Sequence, residues 1–405
     1  MNRALRILFV TPYVPSPVRV RPYAFIRELA ARGHEVTLVC LLQPPSEEHY
    51  LDDVRRYCRG VHLVRLGRAK PLLNALASVP TGVPASVAFC RSPEAREVVA
   101  QLVEANGYDL IHTEFVRAAP ITAHMSGLPR VFDAVDSLAL AYRRSVSAAG
   151  VPPAQRLVAL HEWLKMRGYE PRVLAQFDRV LVSSPADRDA LDRNGRNTVA
   201  VVPNGVDAEH FAFADGPRDG DTIVFLGKMN YYVNVAAMEW FCHRVLPLIR
   251  RQGPNVRLRI VGRDPAPRIR ALAADGAIEV TGTVLDVRPY LASAAVNVCP
   301  MVTGSGIQNK MLEAMAAGIP TVSTSIACQA LSVEHGCEVL IADSPQDFAD
   351  CVLQLLENEP LRRELANNAR RYVEQNHDWK AIGGRLEEIY HGLLDGQQNS
   401  AHRNV

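Results

Sequence analysis

The chain has 405 residues with 45 basic and 43 acidic side chains, so its formal charge is close to balance and nucleic acid is not implied as a partner. At about 150 residues per domain the length predicts two or three domains, and 48% apolar with 22% charged residues excludes fibrous and disordered classes. No run approaches the ~18 apolar residues of a membrane span, and MNRALRILFV is too short an apolar stretch for a secretory leader, so the expected location is the cytoplasm.

Short Val/Ile/Leu runs alternate with helical patterns, the signature of βαβ units around parallel sheets. LRILFV is followed by the loop TPYVPSP, then a helix from about Tyr23 to Arg32, closed by Gly33 and His34 before the strand EVTLVC. DLIHTE, RVFDAVD, a long helix from about Gln155 to Gln176, RVLVSS and TVAVVPNGVD complete a first domain, expected over 1–210. The stretch 211–221, containing FADGPRDGD, loses apolar periodicity and reads as a linker. A second series (TIVFLG, VRLRIVG, IEVTG, VNVCPMV, TVST and EVLIAD with intervening helices) is expected over 222–378. A helix over 379–395 and a polar, disordered tail over 396–405 close the chain.

This predicts two doubly wound Rossmann-like domains, whose ligands sit beyond the carboxyl ends of the strands and in a cleft that the two domains face. The G-x-G-x-x-G fingerprint is absent after the first strand of either half, so a dehydrogenase is not favoured. The eight cysteines are scattered with no C-x-x-C pair and no His/Cys cluster at metal spacing, so no structural zinc is expected; no cofactor is expected either.

The strongest local signal is VTGSGIQNKMLEAMAAGIPTV. The turn Gly304-Ser305-Gly306 leads through Ile307 into a helix, whose unpaired N–H groups suit phosphate. Lys310 lies in the first turn, where a cation opposes the helix dipole and calls for a nearby anion. Glu313 lies in an apolar stretch and needs a partner, which a ribose diol would supply. A core helix with a solvated lysine fits the same local pattern. In FLGKMNYYVN the strand ends at Gly227 and puts Lys228 on the ligand edge; a surface loop lysine is the plain alternative. In the first half Arg19 and Arg21 follow the first strand, and His112, Glu114, Asp133 and Asp136 lie at or past later strand ends. His112 also suits a satisfied core histidine, and Asp136-Ser137 a helix N-cap.

Taken together, PYxP, RGHEVTLV, SSPADRDAL, VVPNGVDAEHF, GKMN, LRIVGRDP, IEVTGTVLDVRPYL and GSGIQNKMLEAMAAGIPTVST resemble a family 4 retaining glycosyltransferase with the GT-B architecture. The resemblance is strongest to the subset associated with bacterial exopolysaccharide or cell-surface glycan assembly. The closing DWKAIGGRLEEIY is similar to the family's C-terminal helix, which crosses back onto the first domain.

The resemblance implies that the C-terminal domain binds a nucleotide-diphospho-sugar as co-substrate. Gly227, Lys228, Gly304, Ser305, Gly306, Ile307 and Lys310 would meet the diphosphate or sugar, Glu313 the ribose, and backbone near Thr283 and Val284 the base. The catalytic set would be Lys228, Glu313 and Asp136, with no metal. Arg19, Arg21, His112 and Glu114 would face a glycan or lipid-linked acceptor. Four departures stand out: Ser305 replaces the first of two glutamates eight positions apart, Arg19 follows Ser16-Pro17-Val18 where many members carry a glycine pair, Asn234 stands near a second phosphate-binding lysine, and Val135 stands near a frequent histidine, which leaves Asp136 as the nearest polar group.

The implied activity is retaining sugar transfer in bacterial surface polysaccharide synthesis. A catalytically degenerate binding protein and a nucleotide-sugar epimerase or hydrolase of the same architecture are the alternatives. Peripheral contact at the inner face of the plasma membrane remains open, since Arg55, Arg56 and Arg59 suit either a basic docking face or a solvated helix. Lys70, Lys165 and Lys380 read as ordinary surface lysines.

Overall fold

In the computed structural model, which describes residues 3–42, 47–67, 69–147, 153–192, 198–304 and 306–402, two separate parallel sheets organise the chain. The first contains β1 (Arg6–Thr11), β2 (Glu35–Leu42), β3 (Gly60–Arg65), β4 (Leu110–Glu114), β5 (Arg130–Val135), β6 (Arg179–Val182) and β7 (Val199–Val201), in the order β3-β2-β1-β4-β5-β6-β7. The second contains β8 (Asp219–Leu226), β9 (Arg257–Val261), β10 (Ile278–Gly282), β11 (Ala294–Cys299), β12 (Thr321–Ser323) and β13 (Leu340–Ile341), in the order β10-β9-β8-β11-β12-β13. Both are doubly wound α/β sheets, as the alternation of apolar runs and helical patterns predicts. The strand order reverses at β1/β4 in one and at β8/β11 in the other, and those are the switch points where ligands bind in such sheets.

Central strands are covered on both faces, so their sequences are continuously apolar. Leu8, Phe9 and Val10 of β1 are fully buried, with Phe9 in register with Leu38 on one side and His112 on the other. The helix Val20–Ala31 ends as its glycine suggests: Gly33 adopts φ 86°, and the His34 N–H donates to the Leu29 carbonyl at 3.0 Å.

Two expectations about organisation are corrected. The chain divides at Pro203/Asn204 and again at Ala381/Ile382, so residues 211–221 belong to the second unit and are not a linker. The Gly/Pro/Asp-rich composition conceals Arg218, whose guanidinium donates to the carbonyls of Leu291, Ala294 and Gly318 at 3.1, 3.1 and 2.9 Å, and the tail end of the same stretch is already strand β8. The polar C-terminal stretch is helical: one helix runs from Trp379 to His402, so the disordered tail expected from residue 396 is not seen, and only 403–405 fall outside the described residues.

From Ile382 onward that helix is part of the first unit. It can lie close because a Cβ at Gly383 would meet Glu28 Cβ at 2.7 Å. Arg32 pairs with Glu387 at 3.2 Å, and Tyr390 is fully buried with its hydroxyl 2.7 Å from His112 Nδ1.

Candidate functional site

The carboxyl edge of the second sheet holds an arrangement built around Asn234. This residue is buried in the helix Tyr232–Trp240; its Nδ2 donates to the Lys228 carbonyl at 3.0 Å, and its Oδ1 accepts from Lys310 Nζ. Lys310 Nζ also lies 4.6 Å from the Phe225 ring centroid and 3.7 Å from Met301 Sδ. Burial lowers its pKa, with Glu313 acting in the opposite direction. Asn234 is thus the residue that ties the β8 loop carrying Lys228 to the helix Asn309–Ala316 carrying Lys310.

The approach is tight at Gly227, where a Cβ would come within 2.7 Å of Asn234 Nδ2. It is tighter at Gly262, whose φ of 149° favours glycine and where a Cβ would collide with the Gly227 carbonyl. Gly304 and Gly306, at φ 142° and 70°, form the turn before the helix. Gly304 lies beside Val233, 3.6 Å from its Cγ1 for a Cβ, so turn, β8 loop and helix start meet at one place. Ile307 is buried just behind it. Ser305 lies outside the described residues.

Lys228 is exposed at this edge, and its ammonium makes no hydrogen bond or ion pair among the described residues. Glu313 is partly exposed and has no hydrogen-bond partner among them; burial raises its pKa to about 7, with Lys310 lowering it in part. A neighbouring open depression of about 500 Å³ at the ends of β9 and β10 is lined by Thr283, Gly282, Val280 and Asp264. Val284, next in the chain, packs against the apolar cluster that contains Val224, Leu226 and Val261.

The carboxyl edge of the first sheet is built differently. Arg21 Nε and Nη2 grip Asp133 at 2.7 and 3.0 Å, and Nη1 donates to the carbonyls of Val202 and Pro203 at 2.9 and 3.2 Å. Both partners are buried. Arg21 therefore braces the strand ends from inside, and the acceptor contact expected of it is replaced by a scaffolding role. Tyr13 donates to Glu114 at 2.9 Å, and burial together with Asp133 raises the Glu114 pKa to about 8. His112 stacks on Phe9 at 4.2 Å, and burial lowers its pKa to about 4. With no exposure, His112 matches a core histidine and cannot touch an acceptor.

Arg19 remains accessible, stacked over Tyr13 at 4.6 Å and paired with Glu47 at 3.5 Å. Asp136 is half-buried and accepts from Ser183 Oγ at 2.7 Å; burial raises its pKa. The N-cap reading falls to Ser137, whose Oγ accepts from the Leu140 N–H at 3.2 Å. Before Asp136, Val135 adopts φ 66°, strained for a β-branched residue, and Ser183 N–H donates to its carbonyl at 2.6 Å.

Sequence reasoning missed Tyr13, Asn234 and Tyr390 as partners of the site residues. Tyr13 lay within the PYxP motif; the other two carry no local signal, since their partners are 76 and 278 residues away.

A family model described as Glycosyltransferase Family 4 matches residues 18–210, and one described as Glycosyl transferases group 1 matches residues 220–358. The phosphatidyl-myo-inositol mannosyltransferase of Mycolicibacterium smegmatis is 26% identical over 400 residues, covering 95% of this chain and 93% of that one. A Klebsiella pneumoniae protein described as an uncharacterized 44.6 kDa protein in cps region is 21% identical over 365 residues, covering 87% and 90%. Among solved structures, Anabaena HepE in complex with UDP and glucose has a TM-score of 0.67 at 16% identity, covering 95% of this chain and 99% of that one. Sucrose-phosphate synthase from Thermosynechococcus elongatus has a TM-score of 0.70 at 18% identity, covering 96% and 100%.

Proposed function

Since the chain belongs to the family 4 and group 1 glycosyltransferases, we propose that it moves a sugar from a nucleotide-diphospho-sugar to a hydroxyl of a lipid-linked or oligosaccharide acceptor, with retention at the anomeric carbon. The observation that carries this reading is the Lys228–Asn234–Lys310 arrangement beside the glycine turn, at the switch-point edge of the second sheet.

The chemical demand is to stabilise charge on the departing nucleoside diphosphate. An exposed ammonium at Lys228, a fixed one at Lys310 and the backbone N–H groups after Gly306 supply preorganised positive potential there, without a divalent ion. Glu313, lacking a hydrogen-bond partner among the described residues, holds the ribose hydroxyls. The base lies over the Thr283–Val284 backbone. As the bond from the anomeric carbon to the phosphate oxygen breaks, the acceptor oxygen bonds to that carbon from the same face and its proton passes to the departing phosphate. Arg19 and Asp136, the accessible polar groups of the first sheet's edge, are the acceptor-side candidates.

The relative named for mannosyl transfer to phosphatidyl-myo-inositol supports a lipid acceptor, and the relative in a cps region supports a place in surface polysaccharide synthesis. The test is a panel of uridine, guanosine and thymidine diphospho-sugars incubated with the protein and a crude lipid-linked acceptor extract. Acceptor-dependent release of nucleoside diphosphate is expected for one donor. Tight donor binding without release leaves a binding protein, and conversion without acceptor leaves an epimerase or hydrolase.

A further inference from the structure

Seven of the eleven large apolar side chains that the described residues leave exposed lie on two helices of the first unit. On the helix Ala69–Ser78 and just past its end, Leu72, Leu73, Leu76 and Val79 are 54–68% exposed. Their spacing places them within about a third of the helix circumference, so they form one face. On the helix Pro153–Leu174, Leu157, Val158 and Leu164 are 48–67% exposed. Lys165 joins the two elements, its ammonium donating to the carbonyls of Ser78, Val79 and Val83 at 2.8, 3.0 and 3.3 Å. This lysine is therefore a structural tie, a correction to its reading as an ordinary surface residue.

The exposed charges that these helices themselves carry are basic, although Lys70 is paired with Glu94 and Asp189 lines the same depression as Arg143 and Arg167. The helices Ala69–Ser78, Leu138–Ser147 and Pro153–Leu174 contain two carboxylates, and both point inward. Glu162 accepts from the Ala85 N–H at 2.8 Å, and Glu170 from the Leu138 N–H at 2.7 Å. Outside, Arg143, Arg156, Arg167 and Arg172 are exposed, and Arg167 lies over the Trp163 ring at 5.8 Å. The arginines that sequence reasoning considered for docking are neutralised instead: Arg55 pairs with Asp52, Arg56 with Asp53 and Arg59 with Glu35.

We propose that the faces of helices 69–78 and 153–174, with the arginines of 138–147 beside them, seat this protein on an anionic lipid bilayer. Projecting leucines enter the boundary between headgroups and acyl chains while guanidinium groups meet lipid phosphates. A second copy is disfavoured as the occupant, since the exposed charges that these three helices carry are basic and repel their counterparts on another copy. The proposal stands apart from the transferase reading, because vesicle binding requires neither donor nor acceptor.

The test is co-sedimentation of the full chain with vesicles of phosphatidylcholine alone or mixed in equal parts with phosphatidylglycerol, at low and high salt. Binding to the mixed vesicles only, weakened by salt, is expected. The double variants Leu73→Glu/Leu76→Glu and Arg143→Glu/Arg167→Glu should each lose about tenfold or more in vesicle affinity, while Arg55→Glu/Arg56→Glu retains it. All six residues are exposed or ion-paired at the surface, and the salt dependence of the unaltered chain decides the matter where a variant fails to fold. Absence of binding to mixed vesicles, equal binding to both vesicle types, or a dimer in solution abolished by the leucine variant would each overturn the proposal.

Discussion

The two sheets present the same topological edge, yet they furnish it in opposite ways. At the end of the first sheet the titratable groups are buried and each has a partner, Arg21 with Asp133, Tyr13 with Glu114, and His112 with Tyr390, although Glu114 Oε2 and His112 Nε2 have no hydrogen-bond partner among the described residues. At the end of the second, Lys228 faces outward and Glu313 lacks a hydrogen-bond partner among the described residues, while only Lys310 is held, through Asn234. Titratable residues at strand ends can therefore be either scaffold or machinery, and burial together with pairing tells them apart. The first edge is a braced platform with Arg19 and Asp136 at its surface; the second has charges set aside for a ligand.

Breaking the braced edge should have the largest effect, and it should fall on stability. Arg21→Ala leaves the Asp133 carboxylate buried without its cation, so a loss of about 3–5 kcal/mol is expected in denaturant unfolding. If this variant kept full stability and lost only turnover, Arg21 would belong to the machinery and the contrast would fail.

A smaller effect sharpens the contrast on the other side. With its pKa raised to about 7 by burial, Glu313 holds a proton in the folded chain that the unfolded chain releases near the ordinary glutamate value. Its contribution to stability therefore falls as pH rises from about 4.5 through about 7. Donor binding should move the opposite way, since ribose hydroxyls donate best to the ionised carboxylate. Between pH 6 and 8 donor affinity should rise about tenfold, and Glu313→Gln should bind weakly and without this slope. A variant that retained the slope would remove Glu313 from the ribose site.

Both sheets, the glycine turn and the edge position of Lys228 and Lys310 were legible in sequence, because each is signalled within a few residues by periodicity or turn chemistry. Pairing over long separations was not: Arg21 and Asp133 are 112 residues apart, and no local pattern distinguishes a bracing arginine from a binding one. Composition misled where a single side chain governs. Residues 211–221 look like a linker until Arg218 is seen holding carbonyls as far apart in sequence as Ala214, Leu291 and Gly318, and the polar closing stretch hides a helix that continues to His402. Asn234, a departure from the expected lysine, gains meaning only from its contact with Lys310.

The central claim is that the second sheet's edge binds and stabilises a departing diphosphate, and Lys228→Ala tests it most directly. The side chain is exposed and has no partner among the described residues, so thermal stability should be unchanged while turnover of the nucleotide sugar falls by about 10²–10³-fold. Turnover equal to that of the unaltered chain would contradict the account.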